Sequence, residues 1–181
     1  MIKEAIKKRK VTLISMLICV VVFLIANFAG QGPINWMILY PPYVRYGRWY
    51  TLLTYGFVHL TISHLGGNMY SFFFLGGGLE ESLGSARYFI ILIGSILGSG
   101  GLICLLNPNV ATVGISGGLY GLMAAYVYAL YKRGMLKDSL IRAGVLHIIV
   151  INIYTSFLPG VSLVGHLGGF ITGLVLGLLL V

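Results

Sequence analysis

The chain has 181 residues, of which 58% are hydrophobic and only 9% are charged, and its mean hydropathy is +0.96. Soluble domains carry about 25% charged residues, so this composition excludes a soluble globular protein and predicts an all-α polytopic membrane protein. The formal net charge is +8. Five of the twelve basic residues lie in residues 3–10, directly before the first apolar segment, which is typical of a membrane topology signal and argues against nucleic-acid binding.

Six apolar segments are long enough to cross a hydrocarbon core of about 30 Å. They are predicted at residues 11–28, 61–79, 86–106, 116–131, 140–157 and 163–181. Ten of the twelve Lys and Arg residues then fall on one side, in residues 1–10, 80–87 and 132–142, and the positive-inside rule assigns that side to the cytoplasm. We therefore expect a basic cytoplasmic N-terminus at 1–10, a single six-helix domain at 11–181, and both chain ends in the cytoplasm of a plasma-membrane protein.

The longest connection, from residue 30 to about residue 60, is rich in proline, tryptophan and tyrosine. Proline interrupts helices, and Trp and Tyr prefer the membrane–water interface. These residues predict a long, membrane-associated first outer loop and not a seventh span.

The fourth predicted span, at residues 116–131, is short, because it covers only about 24 Å at 1.5 Å per residue. Residues 107–109 read Asn-Pro-Asn, and Gly114 follows, so the chain before this span is not expected to be helical. We predict that the chain dips into the protein as a loop and that the helix begins below the outer surface. Irregular backbone at that depth must line a cavity or be buried in protein.

The four acidic residues all fall in the predicted cytoplasmic segments: Glu4, Glu80, Glu81 and Asp138. This placement excludes a Ser-His-Asp triad on the outer side, an aspartyl-protease pair, and a zinc site of the His-Glu-x-x-His type. A proton-coupled transporter usually has a carboxylate within a span, and this chain has none. Cys19 and Cys104 lie within apolar spans and are expected to be small buried hydrophobes. No metal or other cofactor is expected.

One serine and one histidine form the best candidate for a catalytic site. In the sixth span, Gly165, Gly169, Gly173 and Gly177 repeat every four residues, which predicts a smooth ridge for close helix packing. His166 adjoins the outer end of this ridge, and Ser116 lies beside Gly117 at the outer end of the fourth span. If the two spans touch, the serine hydroxyl comes within reach of the imidazole as a nucleophile with its base; the alternative is that both are helix-packing polar residues. Tyr120, one turn below Ser116, is placed to orient His166 by stacking.

His64 and Asn68 are four residues apart and share one face of the second span. Each can donate a hydrogen bond to the oxygen that becomes negative in a tetrahedral intermediate; the alternative is a hydrogen-bonded pair between helices. We expect His59 to order the outer loop and His147, in the middle of the fifth span, to have a structural role.

These motifs, taken together and in order, resemble the rhomboid family of intramembrane serine proteases. Residues 114–117 read Gly-Ile-Ser-Gly, residues 64–68 read His-Leu-Gly-Gly-Asn, and residues 166–169 read His-Leu-Gly-Gly, with Gly173 one turn on. The resemblance covers residues from about 48 to 177 and is closest to a minimal prokaryotic six-helix form. It implies a rhomboid-like bundle and a serine endopeptidase that cleaves transmembrane protein substrates within the lipid bilayer, with the site toward the outer side.

The resemblance also implies a role for each candidate residue. Ser116 and His166 form a catalytic dyad; His64, Asn68 and the Ser116 backbone N–H form the oxyanion hole; and the supporting residues are Tyr120, Gly117, Gly169, Gly173 and His59. The first loop departs from the family pattern: many relatives have a Trp-Arg pair before the Leu-Leu-Thr sequence, whereas here Arg48-Trp49 comes first and threonine stands where arginine would fall.

Two other functions remain open at this stage. A catalytically silent rhomboid-like protein would bind membrane proteins for quality control or trafficking, but it should lack the serine or the histidine. A channel or transporter for small solutes would distribute polar residues through both leaflets, whereas here they gather at the outer end of the spans.

Overall fold

The computed structural model describes residues 8–28 and 32–181, so most of the basic segment predicted at 1–10 lies outside the described residues. Within these ranges the chain is built from helices, and an isolated antiparallel bridge joins Leu39 to Thr112. The α-helices are α1 (Lys10–Phe28), α2 (Pro41–Arg45), α3 (Thr51–Thr54), α4 (Ile62–Ser71), α5 (Gly77–Leu83), α6 (Ser85–Leu106), α7 (Ser116–Lys132), α8 (Ser139–Ser156) and α9 (Leu163–Leu180). Short 3-10 turns occupy Ile34–Trp36, Tyr55–Phe57 and Met135–Lys137, and a π-helical turn, Phe72–Gly76, joins α4 to α5.

Four of these helices (α1, α6, α8 and α9) are long and apolar enough to cross a membrane. The prediction of an all-α, multi-pass membrane protein is therefore confirmed. The other two predicted spans are built differently. The second is α4, the π-helical turn and α5 in succession, and the fourth is α7, which has only 17 residues.

The second predicted span continues past its expected end at residue 79. Helical structure runs to Leu83, and Gly84, with a φ of +80°, makes the tight connection to α6. The helix thus ends four residues later than predicted, within the segment 80–87 that the sequence assigns to the cytoplasmic side. The reason is that the Glu80 side chain is 1% exposed and points at α1: it accepts hydrogen bonds from the backbone N–H groups of Val11 and Thr12, each at 2.9 Å.

The segment between α1 and α4 folds back on itself through α2, α3 and two 3-10 turns. Arg48, one of its two cations, lies over aromatic rings: its guanidinium carbon is 4.2 Å from the centre of the Trp36 ring and 4.4 Å from that of Tyr43. The Arg-Trp order that departs from the family pattern therefore leaves the arginine in a cation–π arrangement.

Helices α6, α7 and α9 form the tightly packed centre of the bundle, and glycine allows their close approach. A Cβ on Gly169 would overlap the carbonyl oxygen of Gly117, and one on Gly173 would overlap the backbone of Gly121. A Cβ on Gly177 would lie 3.1 Å from the Cα of Ala125. The ridge that the sequence predicts on the last span is thus the surface on which α9 meets α7, backbone against backbone.

Helix α8 is attached much more loosely. Its buried residues are Val145, in the first half of the helix, and Ser156, at its C-terminal end. His147 is exposed on this helix, so it is not among the side chains brought to the centre of the bundle.

Candidate active site

The chain enters α7 through an irregular segment, as the sequence predicts. Helix α6 ends at Leu106, before Pro108, and α7 begins at Ser116. The N–H of Gly114 donates to the carbonyl of Tyr55 at 2.9 Å, which fixes this segment to the first loop. Gly114 has a φ of +111°, a conformation that residues with a side chain rarely adopt. No side chain caps the start of α7, so its first N–H groups are free to bind another acceptor.

Ser116 and His166 meet where α7 and α9 begin. The distance from Ser116 Oγ to His166 Nε2 is 2.9 Å, although fifty positions separate the two residues. His166 is 6% exposed. Its helix is started by Ser162, whose hydroxyl accepts a hydrogen bond from the N–H of Gly165 at 3.1 Å, which is the usual role of an N-cap serine.

Tyr120 covers one face of the histidine. The centres of the two rings are 4.0 Å apart and their planes differ by 16°, so the rings are stacked. The Tyr120 hydroxyl lies 2.6 Å from Ser156 Oγ and also donates to the backbone carbonyl of Asn152.

The second nitrogen of His166 has a partner on α8. His166 Nδ1 lies 2.9 Å from Ser156 Oγ, and Ser156 in turn donates to the carbonyl of Asn152 at 2.9 Å. Ser156 is 5% exposed. The imidazole is therefore held on three sides, by Ser116, by Ser156 and by the Tyr120 ring.

His59, His64 and Asn68 form a second group, beside Gly114. Asn68 Nδ2 donates to His59 Nε2 at 2.9 Å, and the rings of His59 and His64 meet edge to face with centres 4.9 Å apart. A Cβ built on Gly114 would lie 2.7 Å from His64 Nε2 and 3.8 Å from Asn68 Nδ2. Both side chains therefore lie beside the backbone two residues before Ser116. His64 fills the space that a side chain at position 114 would need, and Asn68 borders that space.

His59 is fully buried in the loop that leads into α4. Burial, with a smaller contribution from the neighbouring His64, lowers the pKa of His59 to about 4. The ring is thus neutral at neutral pH, which leaves Nε2 able to accept the hydrogen bond from the Asn68 amide.

A comparison with known proteins identifies the family of this chain. A family model described as the Rhomboid domain matches residues 46–181. This chain is a member of the rhomboid family. The resemblance drawn from the sequence motifs is thereby confirmed.

Several curated relatives are similar to this rhomboid. It is 26% identical to Rhomboid protease GlpG of Serratia proteamaculans (strain 568) over 178 residues, which are 96% of this chain and 62% of that protein. It is 30% identical to Rhomboid protease GluP of Bacillus subtilis over 132 residues, 72% of this chain and 26% of the relative. RHOMBOID-like protein 1 of Arabidopsis thaliana is 34% identical over 128 residues, 70% of this chain and 33% of the relative. The rhomboid described here thus spans less than two thirds of the length of each.

One residue of this rhomboid's site is not identified by sequence reasoning. Ser156 is a single hydroxyl at the end of an apolar helix, and such residues are common where helices pack in membranes. The available signal was its position: it stands at the C-terminal end of its helix, on the side of the membrane to which the predicted topology also assigns Ser116 and His166.

The described residues of this rhomboid contain no group of three or more His, Cys, Asp or Glu side chains that could hold a metal ion. The groups that Ser116, His166, His64 and Asn68 offer to a reaction are a hydroxyl, an imidazole and hydrogen-bond donors.

Proposed function

We propose that this protein is an intramembrane serine endopeptidase in which Ser116 is the nucleophile and His166 is the general base. The observation that carries the proposal is the 2.9 Å contact between Ser116 Oγ and His166 Nε2, made by residues on two different helices. Membership of a family with relatives named rhomboid proteases supports the same reaction. The proposed substrates are transmembrane segments of other proteins, and no cofactor takes part.

The proposed topology has six spans: α1, the continuous helix 62–83, α6, α7, α8 and α9. Residues 62–83 extend over about 33 Å and α7 over about 26 Å at 1.5 Å per residue, and the loop at 107–115 makes up the remaining depth above α7. With ten of the twelve cations on one side, we place both chain ends in the cytoplasm, and the site toward the outer side of the plasma membrane. Residues 11–181 then form one protease domain whose first outer loop lies partly in the outer leaflet.

The proposed reaction begins when Ser116 Oγ attacks the carbonyl carbon of a substrate peptide bond and His166 Nε2 takes the hydroxyl proton. The tetrahedral intermediate collapses as His166 gives this proton to the leaving amine, and an acyl-enzyme remains on Ser116. Water then hydrolyses the ester, with His166 again acting as base. Among the described residues no carboxylate contacts the imidazole, and the stacked Tyr120 ring is proposed to help orient it.

Three groups are proposed to bind the oxygen that becomes negative in this intermediate. The backbone N–H of Ser116 belongs to the uncapped start of α7, where the helix dipole also favours negative charge. The side chains of His64 and Asn68 face the backbone at Gly114. Donors fixed in advance at the site of developing charge typically lower the barrier by several kcal/mol.

The test is cleavage of a single-pass membrane protein by the purified full-length chain in liposomes. Wild type should cut, and both Ser116→Ala and His166→Ala should reduce turnover below detection. Ser82→Ala, an exposed serine in α5, is the matched control and should cut like wild type. Sustained cleavage by Ser116→Ala would sink the proposal. A wild-type chain that bound the substrate without cutting it would instead favour the catalytically silent membrane-protein binder.

A further inference from the structure

The partner of His166 Nδ1 bears on which tautomer the ring adopts, a question that the Ser116 contact at Nε2 does not answer. An imidazole can act as a base at Nε2 only if the single proton of the neutral ring sits on Nδ1. In this protein Nδ1 faces a buried hydroxyl, Ser156 Oγ, at 2.9 Å. The residue that meets Nδ1 therefore influences which nitrogen is free to take the Ser116 proton.

The surroundings of Ser156 determine in which direction this hydrogen bond runs. A hydroxyl has one proton to donate and two lone pairs that can accept. Ser156 Oγ lies 2.9 Å from the backbone carbonyl of Asn152, which can only accept, and 2.6 Å from the Tyr120 hydroxyl, which can donate as well as accept. The Ser156 proton can be directed at this carbonyl. The lone pairs of Ser156 Oγ are then left for the N–H of His166 Nδ1.

We propose that Ser156 is a positioning residue, which holds His166 in the tautomer protonated at Nδ1 and steadies the charged imidazole during the reaction. This inference rests on the proposed function, because it assigns Ser156 a role in proton transfer from Ser116. The hydroxyl touches neither the substrate nor the reacting nitrogen, and it acts only through the ring.

The effect should be larger in the transition state than in the resting enzyme. When His166 takes the Ser116 proton the ring becomes a cation, and the bond from Nδ1–H to Ser156 Oγ becomes charge-assisted and stronger. Ser156 is 5% exposed, and little water is present to replace the bond. An interaction that strengthens as the reaction proceeds raises kcat more than it lowers KM.

The first test is kinetic. Ser156→Ala should lower kcat by about ten- to a hundredfold, as expected for the loss of about 1.4–2.8 kcal/mol of hydrogen bonding to a charged group, with KM changed less than about twofold. Ser156→Thr keeps the hydroxyl and should recover most of kcat. Thr155→Ala is the matched control: the Thr155 hydroxyl also donates to the Asn152 carbonyl, at 3.0 Å, but it is not bonded to His166, so this variant should turn over like wild type.

The second test reads the tautomer directly and does not depend on cleavage. Nitrogen NMR of the full chain with 15N-labelled histidine should show the His166 proton on Nδ1 in wild type, and a mixture of tautomers in Ser156→Ala. This measurement on the wild-type protein stands even if the alanine variant does not fold.

Two results would overturn the role of Ser156: a wild-type kcat in folded Ser156→Ala, or a His166 ring protonated mainly at Nε2 in the wild-type protein. Neither would affect the assignment of Ser116, which depends on Ser116→Ala alone. Conversely, cleavage by Ser116→Ala would remove the proposed function whatever the tautomer of His166.

Discussion

At the scale of single residues, the site depends on a histidine that supports an asparagine. The Asn68 amide has two N–H groups, and one of them is taken by His59 Nε2 at 2.9 Å. This bond fixes the plane of the amide, so the other N–H keeps a constant direction. His59, in the loop before α4, thus affects the site only indirectly, by holding the Asn68 amide in place.

This arrangement leads to a prediction about a pair of substitutions. Asn68→Ala should slow turnover by tens- to hundreds-fold if the amide is an oxyanion donor, and His59→Ala should slow it less, because it loosens the amide without removing it. The double variant should be no slower than Asn68→Ala alone, since His59 acts through Asn68. The measurement is kcat on one substrate for all four proteins, with thermal unfolding as the check on folding. Independent, additive losses would show that His59 acts by another route.

At the scale of helices, the site exists because α7 and α9 touch along glycine. The contact of Gly169 with Gly117 lies next to the dyad, and the contact of Gly173 with Gly121 lies one turn further on. A side chain at Gly169 or Gly173 would move the two helices apart. The 2.9 Å distance between Ser116 Oγ and His166 Nε2 would increase with that movement.

Substitution of one ridge glycine should therefore reduce both stability and activity. Gly173→Ala places a methyl group in the backbone of Gly121 and should destabilise the fold by about 1–3 kcal/mol or more, as overpacking does. Gly144→Ala in α8 is the control, because a Cβ there meets no atom within 4 Å. It should be neutral or stabilise by about 0.5–1 kcal/mol. Equal thermal unfolding temperatures for the two variants in detergent would contradict the packing argument.

Most helix ends and the central pair of helices could be predicted from the sequence, whereas the end of the second span at Leu83 and three further features could not. Glycine at every fourth position is a periodic signal, so the α7–α9 contact was within reach of pattern reasoning, as was the start of α7 after Pro108 and Gly114. The π-helical turn at Phe72–Gly76 lies inside an apolar run that would look the same as ordinary α-helix. Ser156 and the buried Glu80 depend on contacts between segments distant in sequence, and the sequence offers no signal for Glu80 and only the position at the end of a helix for Ser156.

At the scale of the whole molecule, close helix packing holds the centre of the bundle together, and buried polar groups attach α1 to it. Helix α1 buries Thr12, Ser15 and Cys19, and the Glu80 carboxylate holds its first turn. That carboxylate accepts from two backbone N–H groups of α1, from the Thr12 hydroxyl at 2.8 Å and from the Ser85 hydroxyl at 2.6 Å. One side chain thus joins α1, α5 and α6.

Removal of the Glu80 carboxylate should destabilise the protein far more than removal of the neighbouring Glu81 carboxylate. Glu80→Gln leaves buried donors without an acceptor, which costs about 1–3 kcal/mol. Glu81→Gln is the control, because Glu81 forms a partly exposed ion pair with Arg9 at 2.6 Å, and such pairs contribute about 0–1 kcal/mol. Thermal unfolding in detergent measures both. A larger loss for Glu81→Gln would mean that α1 is held by the surface ion pair.

The fifty residues that separate Ser116 from His166 also set an order of events during synthesis. Chains fold from the N-terminal end as they are made, at about 5–20 residues per second, so roughly 3–10 s pass between these two positions. Throughout that interval α7 lacks the helix against which its glycines pack, and the serine has no imidazole beside it. Under the proposed mechanism the enzyme is inert while it is being made. On that mechanism, activity begins only when α9 is inserted beside α7.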